Sequence, residues 1–168
     1  MSQNSLKGFS LVELLLTMSI IGIVLGISTL TFSSWVRKYG IESQVRSIYL
    51  DLNQARTNAF TRKKVYGVVF QTNGYTMRSY SSSAEYTPSS AASSNGRVEQ
   101  ASTLKYSITK NGNDISDTPV IFDTHGYTND LLTLYVEPVS IDASINCISI
   151  SNARVNMGKI NGTNCDFK

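Results

Sequence analysis

Residues 7–35 of the chain read KGFSLVELLLTMSIIGIVLGISTLTFSSW. This stretch is a long apolar run with one carboxylate, Glu13, and no charged residue occurs for 23 positions from Leu14 to Val36. As a helix, these positions extend over about 35 Å, enough to cross a bilayer core of about 30 Å. The stretch therefore predicts a hydrophobic helix, and any explanation of it must also account for Glu13.

Two ordinary kinds of hydrophobic segment fit this stretch poorly. A single-span anchor explains the length but not the carboxylate, which costs roughly 2.5–3.5 kcal/mol at the centre of a membrane helix and less near its end. A secretory signal peptide has a shorter apolar region, about 7–15 residues, and its cleavage site follows that region. Here the cleavage site is expected before the run, at Gly8. A plain anchor with an incidental glutamate is the simpler alternative.

The residues around Gly8, KGFSLVEL at positions 7–14, resemble the leader junction of type IV pilins and type II secretion pseudopilins. In that family a prepilin peptidase cleaves after the glycine, and the new N-terminal residue is methylated. The resemblance implies cleavage between Gly8 and Phe9 and N-methylation of Phe9, with residues 1–8 as the leader. A carboxylate in the first helical turn is favoured by about 0.3–1 kcal/mol. The resemblance further implies that Glu13 pairs with the Phe9 amine of a neighbouring subunit during assembly.

The helix is expected to continue well beyond the apolar run. Apolar residues recur there at alternating spacings of four and three, which places them on one face: Ile41, Val45, Ile48, Leu52, Ala55 and Ala59. This stripe predicts packing under a sheet, and the basic residues 62–64 suit a helix C-terminus. We therefore expect one helix over residues 9–64. Its parts are a hydrophobic transmembrane and assembly segment, 9–36, and an amphipathic continuation, 37–64.

Residues 65–168 are predicted to form a β-rich globular domain. Asn73-Gly74 separates two runs of β-branched and aromatic residues, which predicts a hairpin. The predicted strands are Val65–Phe70, Tyr75–Tyr80, Leu104–Thr109, Val120–Asp123, Leu131–Glu137, Ile145–Ser151 and Arg154–Ile160. Residues 81–96, rich in serine, predict a long surface loop. The expected fold class is α+β, a pilin-like fold with a long N-terminal helix packed on an antiparallel β-sheet.

The two cysteines, Cys147 and Cys165, predict one disulfide near the C-terminus. An even number of cysteines in an exported domain indicates a disulfide, and a loop of this size contributes about 3 kcal/mol. Two free thiols are the alternative. A metal site is not expected, because no histidine or third cysteine lies nearby and the loop aspartates match no defined Ca²⁺ loop: Asp114, Asp117, Asp123 and Asp130.

Three further stretches resemble the GspH/FimT branch of minor pilins and pseudopilins, namely residues 55–62, 120–126 and 148–155. In some members of that branch, the closing strand ends in Gly-Arg-x-Arg and contributes to DNA uptake. The matching positions 153–156 read Ala-Arg-Val-Asn, so only the first arginine, Arg154, is kept. Arg154 and Lys159 are therefore candidate phosphate contacts. The simpler alternative is that Arg154 is a solvated strand residue.

The sequence indicates no catalytic machinery. His125 is the single histidine, so nucleophilic triads and histidine-based metal sites lack partners. There is no phosphate-binding loop and no dinucleotide motif. The net charge of +3 is too small to indicate a nucleic-acid surface. No enzymatic activity and no cofactor are expected.

The resemblance implies a non-catalytic minor subunit of a type IV pilus or a type II secretion pseudopilus. The implied partners are other pilin or pseudopilin subunits, the prepilin peptidase, the inner-membrane assembly platform and the membrane itself. The implied location is the bacterial inner membrane, as a single-pass protein with its domain in the periplasm, and then the filament. One alternative is a filament-tip module that binds DNA, a surface or a secreted substrate. Another is a single-pass receptor ectodomain.

Overall fold

The computed structural model describes residues 8–81, 96–116 and 118–167, without the side chains of residues 27–31. Within these ranges the chain forms one helix and ten strands. They are α1 Leu11–Arg62, β1 Val65–Gln71, β2 Gly74–Tyr80, β3 Arg97–Thr103, β4 Ile108–Lys110, β5 Asn113–Asp114, β6 Thr118–Phe122, β7 Leu132–Val136, β8 Cys147–Ser151, β9 Arg154–Asn161 and β10 Asn164–Phe167. Residues 82–95, which make up most of the predicted serine-rich loop, lie outside the described residues.

The chain divides into two compact units, Met1–Arg37 and Lys38–Lys168, and α1 supplies residues to each. The prediction of one long helix over residues 9–64 is confirmed, with an end two residues inside the predicted one on each side. Lys63 has a φ of 52°, a left-handed conformation that ends the helix before β1 begins. Among the described residues, no helix combines the length and the hydrophobicity that crossing a membrane requires. The transmembrane role of residues 9–36 stays a prediction.

The predicted apolar stripe is confirmed as the centre of the core in the second unit. All six of its residues, Ile41 to Ala59, have no exposed surface. They cluster with buried side chains from both sheets, including Phe70 of β1 and Ile148 of β8. Because the stripe residues lie three and four positions apart, one helix face buries all of them together. The expected α+β, pilin-like fold class is thus confirmed.

The strands of the globular domain form two antiparallel sheets. One has the order β3-β2-β1-β6 and the other the order β10-β9-β8-β7-β4-β5. The first sheet ends at β6, where the backbone N–H of Ile121 donates to the carboxylate of Asp130 at 2.8 Å. A side chain therefore occupies an outer position of β6 that a neighbouring strand would otherwise use.

Four strand assignments need correction. The predicted strand over residues 104–109 is wrong over residues 104–107, since β4 begins at Ile108. Residues 104–107 instead cross the β1–β2 turn, and the Leu104 and Ile108 N–H groups donate to carbonyls in that turn. Strands β3, β5 and β10 were not predicted. They are short or polar edge strands with few buried side chains, so they lack the apolar alternation that marks a strand in sequence.

Candidate functional site

The first candidate site is the junction between the predicted leader and α1. Gly8 and Phe9 precede the helix, and Phe9 is 78% exposed. The first helical hydrogen bond runs from the Leu14 N–H to the Ser10 carbonyl at 3.1 Å, which makes Ser10 the N-cap residue. Glu13, three residues later, lies in the first turn, and this Ser-x-x-Glu spacing is that of a capping box. The sequence prediction did not include Ser10, although its spacing from Glu13 was a readable signal.

The helix surface that follows Glu13 is apolar on all sides. Every side chain described between residues 11 and 37 is exposed. The large apolar ones up to residue 25 are 48–74% exposed: Leu11, Val12, Leu14, Leu15, Leu16, Met18, Ile20, Ile21, Ile23, Val24 and Leu25. A helix that is hydrophobic all round belongs in lipid or among other helices. Its surface therefore fits a partner outside the chain.

Small and polar residues in this run are compatible with close packing. An added Cβ at Gly22 or Gly26 would meet no atom within 4 Å. Two small residues spaced by four let neighbouring helices approach closely in an apolar medium. The hydroxyls of Thr17 and Ser19 donate to carbonyls one turn earlier, at 2.9 and 2.8 Å, so the helix itself satisfies them.

The two cysteines are joined in a disulfide that crosses a strand of the second sheet. Cys147 on β8 lies opposite Gly158 of the intervening strand β9, and Cys165 on β10 lies opposite Ile160 of the same strand. A Cβ on Gly158 would lie 3.0 Å from the Cys165 Sγ and would overlap the Asp166 backbone. The disulfide therefore holds the edge strand β10 close to Gly158 of β9, where a larger residue would overlap the β10 backbone. Spacing in the sequence gives no sign of this role for Gly158.

The two predicted DNA contacts are not brought together. Arg154 and Lys159 lie five residues apart on β9, so their side chains point to opposite faces of the sheet. The Lys159 ammonium pairs with the Asp142 carboxylate at 2.5 Å, while Arg154 is exposed at the start of the strand. A phosphate contact by either residue stays a prediction.

The described loop aspartates act mainly as acceptors for backbone groups. Asp123 accepts from the His125 and Tyr127 N–H groups at 2.8 and 2.9 Å, and Asp130 accepts from β6. Asp117 lies outside the described residues. Within the described part of the chain, no group of three or more His, Cys, Asp or Glu side chains could hold a metal ion.

A second candidate site, which the sequence did not indicate, is an open groove of about 610 Å³. We call it the Tyr106 groove. Its lining comes from α1, β2, β3 and the β3–β4 connection: Tyr39, Gly40, Ser43, Gln44, Ser47, Tyr75, Ala101, Ser102, Thr103, Leu104, Lys105 and Tyr106. Partners such as Gln44 and Tyr106 are 62 residues apart, so no local motif could reveal the groove.

A short hydrogen-bonded chain supports the floor of the Tyr106 groove. The Tyr75 hydroxyl donates to the Asp51 carboxylate, which also accepts from Gln100 Nε2 at 3.1 Å. Burial raises the pKa of Tyr75 to about 12, and the Asp51 carboxylate adds to the increase. Tyr75 is therefore a neutral donor at physiological pH, and it ties β2 to α1.

The N-terminal segment matches a known family model. Residues 4–29 match the prokaryotic N-terminal methylation motif, a range that contains Gly8, Phe9 and Glu13. This is a pilin-type N-terminus. The motif indicates a type IV pilin or pseudopilin that prepilin peptidase processes and that assembles with other such subunits. No curated protein and no solved structure matches the chain.

Proposed function

We propose that this chain is a non-catalytic minor pilin or pseudopilin of the GspH/FimT type. Prepilin peptidase cleaves it between Gly8 and Phe9 and methylates the Phe9 amine. The mature subunit is then built into a type IV pilus or a type II secretion pseudopilus. The observation that carries this proposal is the methylation motif at residues 4–29, followed by an exposed apolar helix with Glu13 in its first turn.

Before assembly, residues 9–36 hold the chain in the inner membrane as a single pass, with the globular domain in the periplasm. The charge-free sequence from Leu14 to Val36 supports this location. An assembly platform then moves the helix into a filament, where helices pack side by side. An open Gly22-x-x-x-Gly26 pair supports such close packing.

Glu13 sets the register between subunits in this mechanism. Among the described residues, Glu13 makes no ion pair, and an unpaired charge in an apolar bundle is strongly unfavourable. The Phe9 amine that cleavage creates on a neighbouring subunit is the charge that would balance it. The methylated amine keeps its positive charge and remains suitable for this pairing.

The test separates processing from assembly. Gly8→Ala should leave an unprocessed chain, read by mass spectrometry, whereas Glu13→Gln should be cleaved and inserted but lost from sheared filaments. Glu99→Gln, an exposed carboxylate of the globular domain, is the matched control. Normal cleavage of Gly8→Ala contradicts the leader assignment. Wild-type incorporation of Glu13→Gln contradicts the register mechanism.

A second candidate function is a binding module at the tip of a filament. The observation that favours it is the edge strand β10, which the disulfide fixes and which presents Phe167 with 58% of its surface exposed. Capture of a secreted protein by the full chain, lost in a Phe167→Ala variant, would support this role. A gel shift with duplex DNA at low salt tests the DNA alternative. A shift that Arg154→Ala leaves unchanged removes Arg154 as a contact.

A further inference from the structure

We propose that the Tyr106 groove binds an oligosaccharide that carries carboxylate groups. The inference does not depend on how the N-terminal segment is processed. All the lining residues lie in the second unit, Lys38–Lys168, and the groove of about 610 Å³ has the size of a small-molecule site.

The wall that carries Tyr106 is fixed in place before any ligand arrives. Gln44, which is only 9% exposed, donates from Nε2 to the Tyr106 carbonyl at 2.7 Å. Its Oε1 accepts from the Tyr106 N–H at 2.9 Å, so one side chain satisfies both backbone groups. The Tyr106 ring lies against Gly40, where a Cβ would come within 2.7 Å of the ring hydroxyl. A preformed wall reduces the ordering cost of binding.

The lining combines aromatic rings with hydroxyl groups. Tyr39 and Tyr106 supply two rings that are at least partly exposed, whereas Tyr75 is buried beneath them. The neighbouring hydroxyls in the groove include serines 43, 47 and 102 and Thr103. A sugar ring has an apolar face of C–H groups and a rim of hydroxyls that both donate and accept. Tyrosine rings suit the face, and serine and threonine hydroxyls suit the rim. The open shape suits a chain of sugars better than an enclosed cofactor.

The positive charge of the lining favours oligosaccharides that carry carboxylate groups. Lys105 is exposed beside the groove, with its Nζ 5.5 Å from the centre of the Tyr106 ring. Among the described residues that line the groove there is no carboxylate, and the nearby Asp51 already accepts from Tyr75 and Gln100. An ammonium in such surroundings favours a ligand carboxylate through a charge-assisted hydrogen bond.

A single cation also argues against nucleic acid as the occupant. Single-stranded nucleic acids stack bases on aromatic rings, but their grooves follow the phosphate backbone with several basic side chains. Here Lys105 is the one basic residue among the described residues of the lining. An oligonucleotide therefore serves as a competing ligand in the test rather than as a second proposal.

The experiment is a calorimetric titration of the full chain in mild detergent. The probes are tetramers of galacturonic acid and mannuronic acid, the neutral tetramers of galactose and mannose, and a hexamer of thymidine nucleotides. We expect saturable binding of an acidic tetramer, at least tenfold tighter than its neutral counterpart. Lys105→Gln should weaken that binding by about tenfold, the size of one charge-assisted bond.

Two further variants keep the result interpretable. Lys110→Gln removes an exposed lysine outside the lining and should bind like the wild type. Ser43→Trp should fill the groove and abolish binding, with the fold checked by circular dichroism. The proposal is overturned if neither acidic tetramer binds, if neutral tetramers bind equally well, or if the oligonucleotide binds more tightly. Binding that Lys105→Gln and Ser43→Trp leave unchanged overturns it too.

Discussion

The two halves of α1 share one continuous hydrogen-bonded backbone but have opposite surroundings. In the half within the first unit, every described side chain from residue 11 to 37 is exposed. In the half within the second unit, six stripe residues are completely buried. Most helices in proteins owe their stability to packing of one face. The first half has no such packing within the described chain, so its apolar surface is available for lipid or neighbouring subunits.

The largest expected difference in stability is between two leucine-to-alanine substitutions, one in each half of α1. Leu52→Ala removes a fully buried side chain and should destabilise the globular domain by about 2–5 kcal/mol. Leu16→Ala removes a side chain that is 61% exposed and should leave that stability unchanged. Chemical denaturation followed by near-ultraviolet circular dichroism measures both. Equal effects of the two variants would contradict the difference in burial between the two halves.

The features of α1 that the sequence predicted are those fixed by regular spacing. Residues Ile41 to Ala59 recur at helical intervals, so the buried stripe followed from periodicity alone. The Asn73-Gly74 turn likewise predicted the β1–β2 hairpin, whose register pairs Gln71 with Gly74. Local chemistry was sufficient for each, because the residues that decide the structure are close in the chain.

Features that depend on distant residues were not predictable in this way. The polar strand β3 is held by backbone pairing to β2, and β10 is held by the disulfide and by pairing to β9. Because neither strand relies on buried apolar side chains, neither shows an apolar pattern in the sequence. The edge of the first sheet carries a bond from the Ile121 N–H to Asp130, a side-chain contact without a sequence signature. The Tyr106 groove requires α1 and the β3–β4 connection to meet. At the N-terminus, by contrast, the decisive residues lie within a few positions of one another.

The disulfide should have the next largest effect, confined to the second unit. Replacing both cysteines, Cys147→Ala with Cys165→Ala, should lower the free energy of unfolding by about 3 kcal/mol, because the unfolded chain regains the freedom of an 18-residue separation. The helical signal of the first half should not change. Wild-type protein under reducing conditions is the comparison, and an unchanged denaturation midpoint would refute the effect.

Tyr75 offers a smaller and pH-dependent test of how the second half of α1 is held. Tyr75→Phe should destabilise by about 1–3 kcal/mol, since Asp51 loses one of its two side-chain donors. The folded-state pKa of about 12 exceeds the ordinary value near 10. The unfolded chain therefore loses the Tyr75 proton first, and wild-type stability falls as the pH rises from about 10 to about 12.

That loss should be absent from Tyr75→Phe, where the groups facing this position, Asp51, Ser47 and Ser102, remain. Tyr127→Phe, at a residue 49% exposed, is the matched control because it should keep the wild-type pH profile. The measurement is the denaturation midpoint of wild type and of both variants between pH 9 and pH 12. A parallel pH profile for wild type and Tyr75→Phe would show that deprotonation of Tyr75 does not cause the loss of stability at high pH.

The smallest expected effect is a slight stabilisation of the first half of α1, whereas the preceding variants destabilise the globular domain. Gly22→Ala introduces a methyl that meets no atom within 4 Å, and alanine favours a helix over glycine by up to about 1 kcal/mol. In micelles, the full-length variant should therefore show a slightly stronger helical circular dichroism signal, and that signal should persist to a slightly higher temperature.

Gly158→Ala is the matched substitution in the second unit, and it should destabilise because its methyl overlaps the Asp166 backbone. If Gly22→Ala instead destabilised the isolated chain, the first half would have packing partners within the molecule. If it stabilised the chain but weakened filament incorporation, the glycine would be retained for helix contacts between subunits.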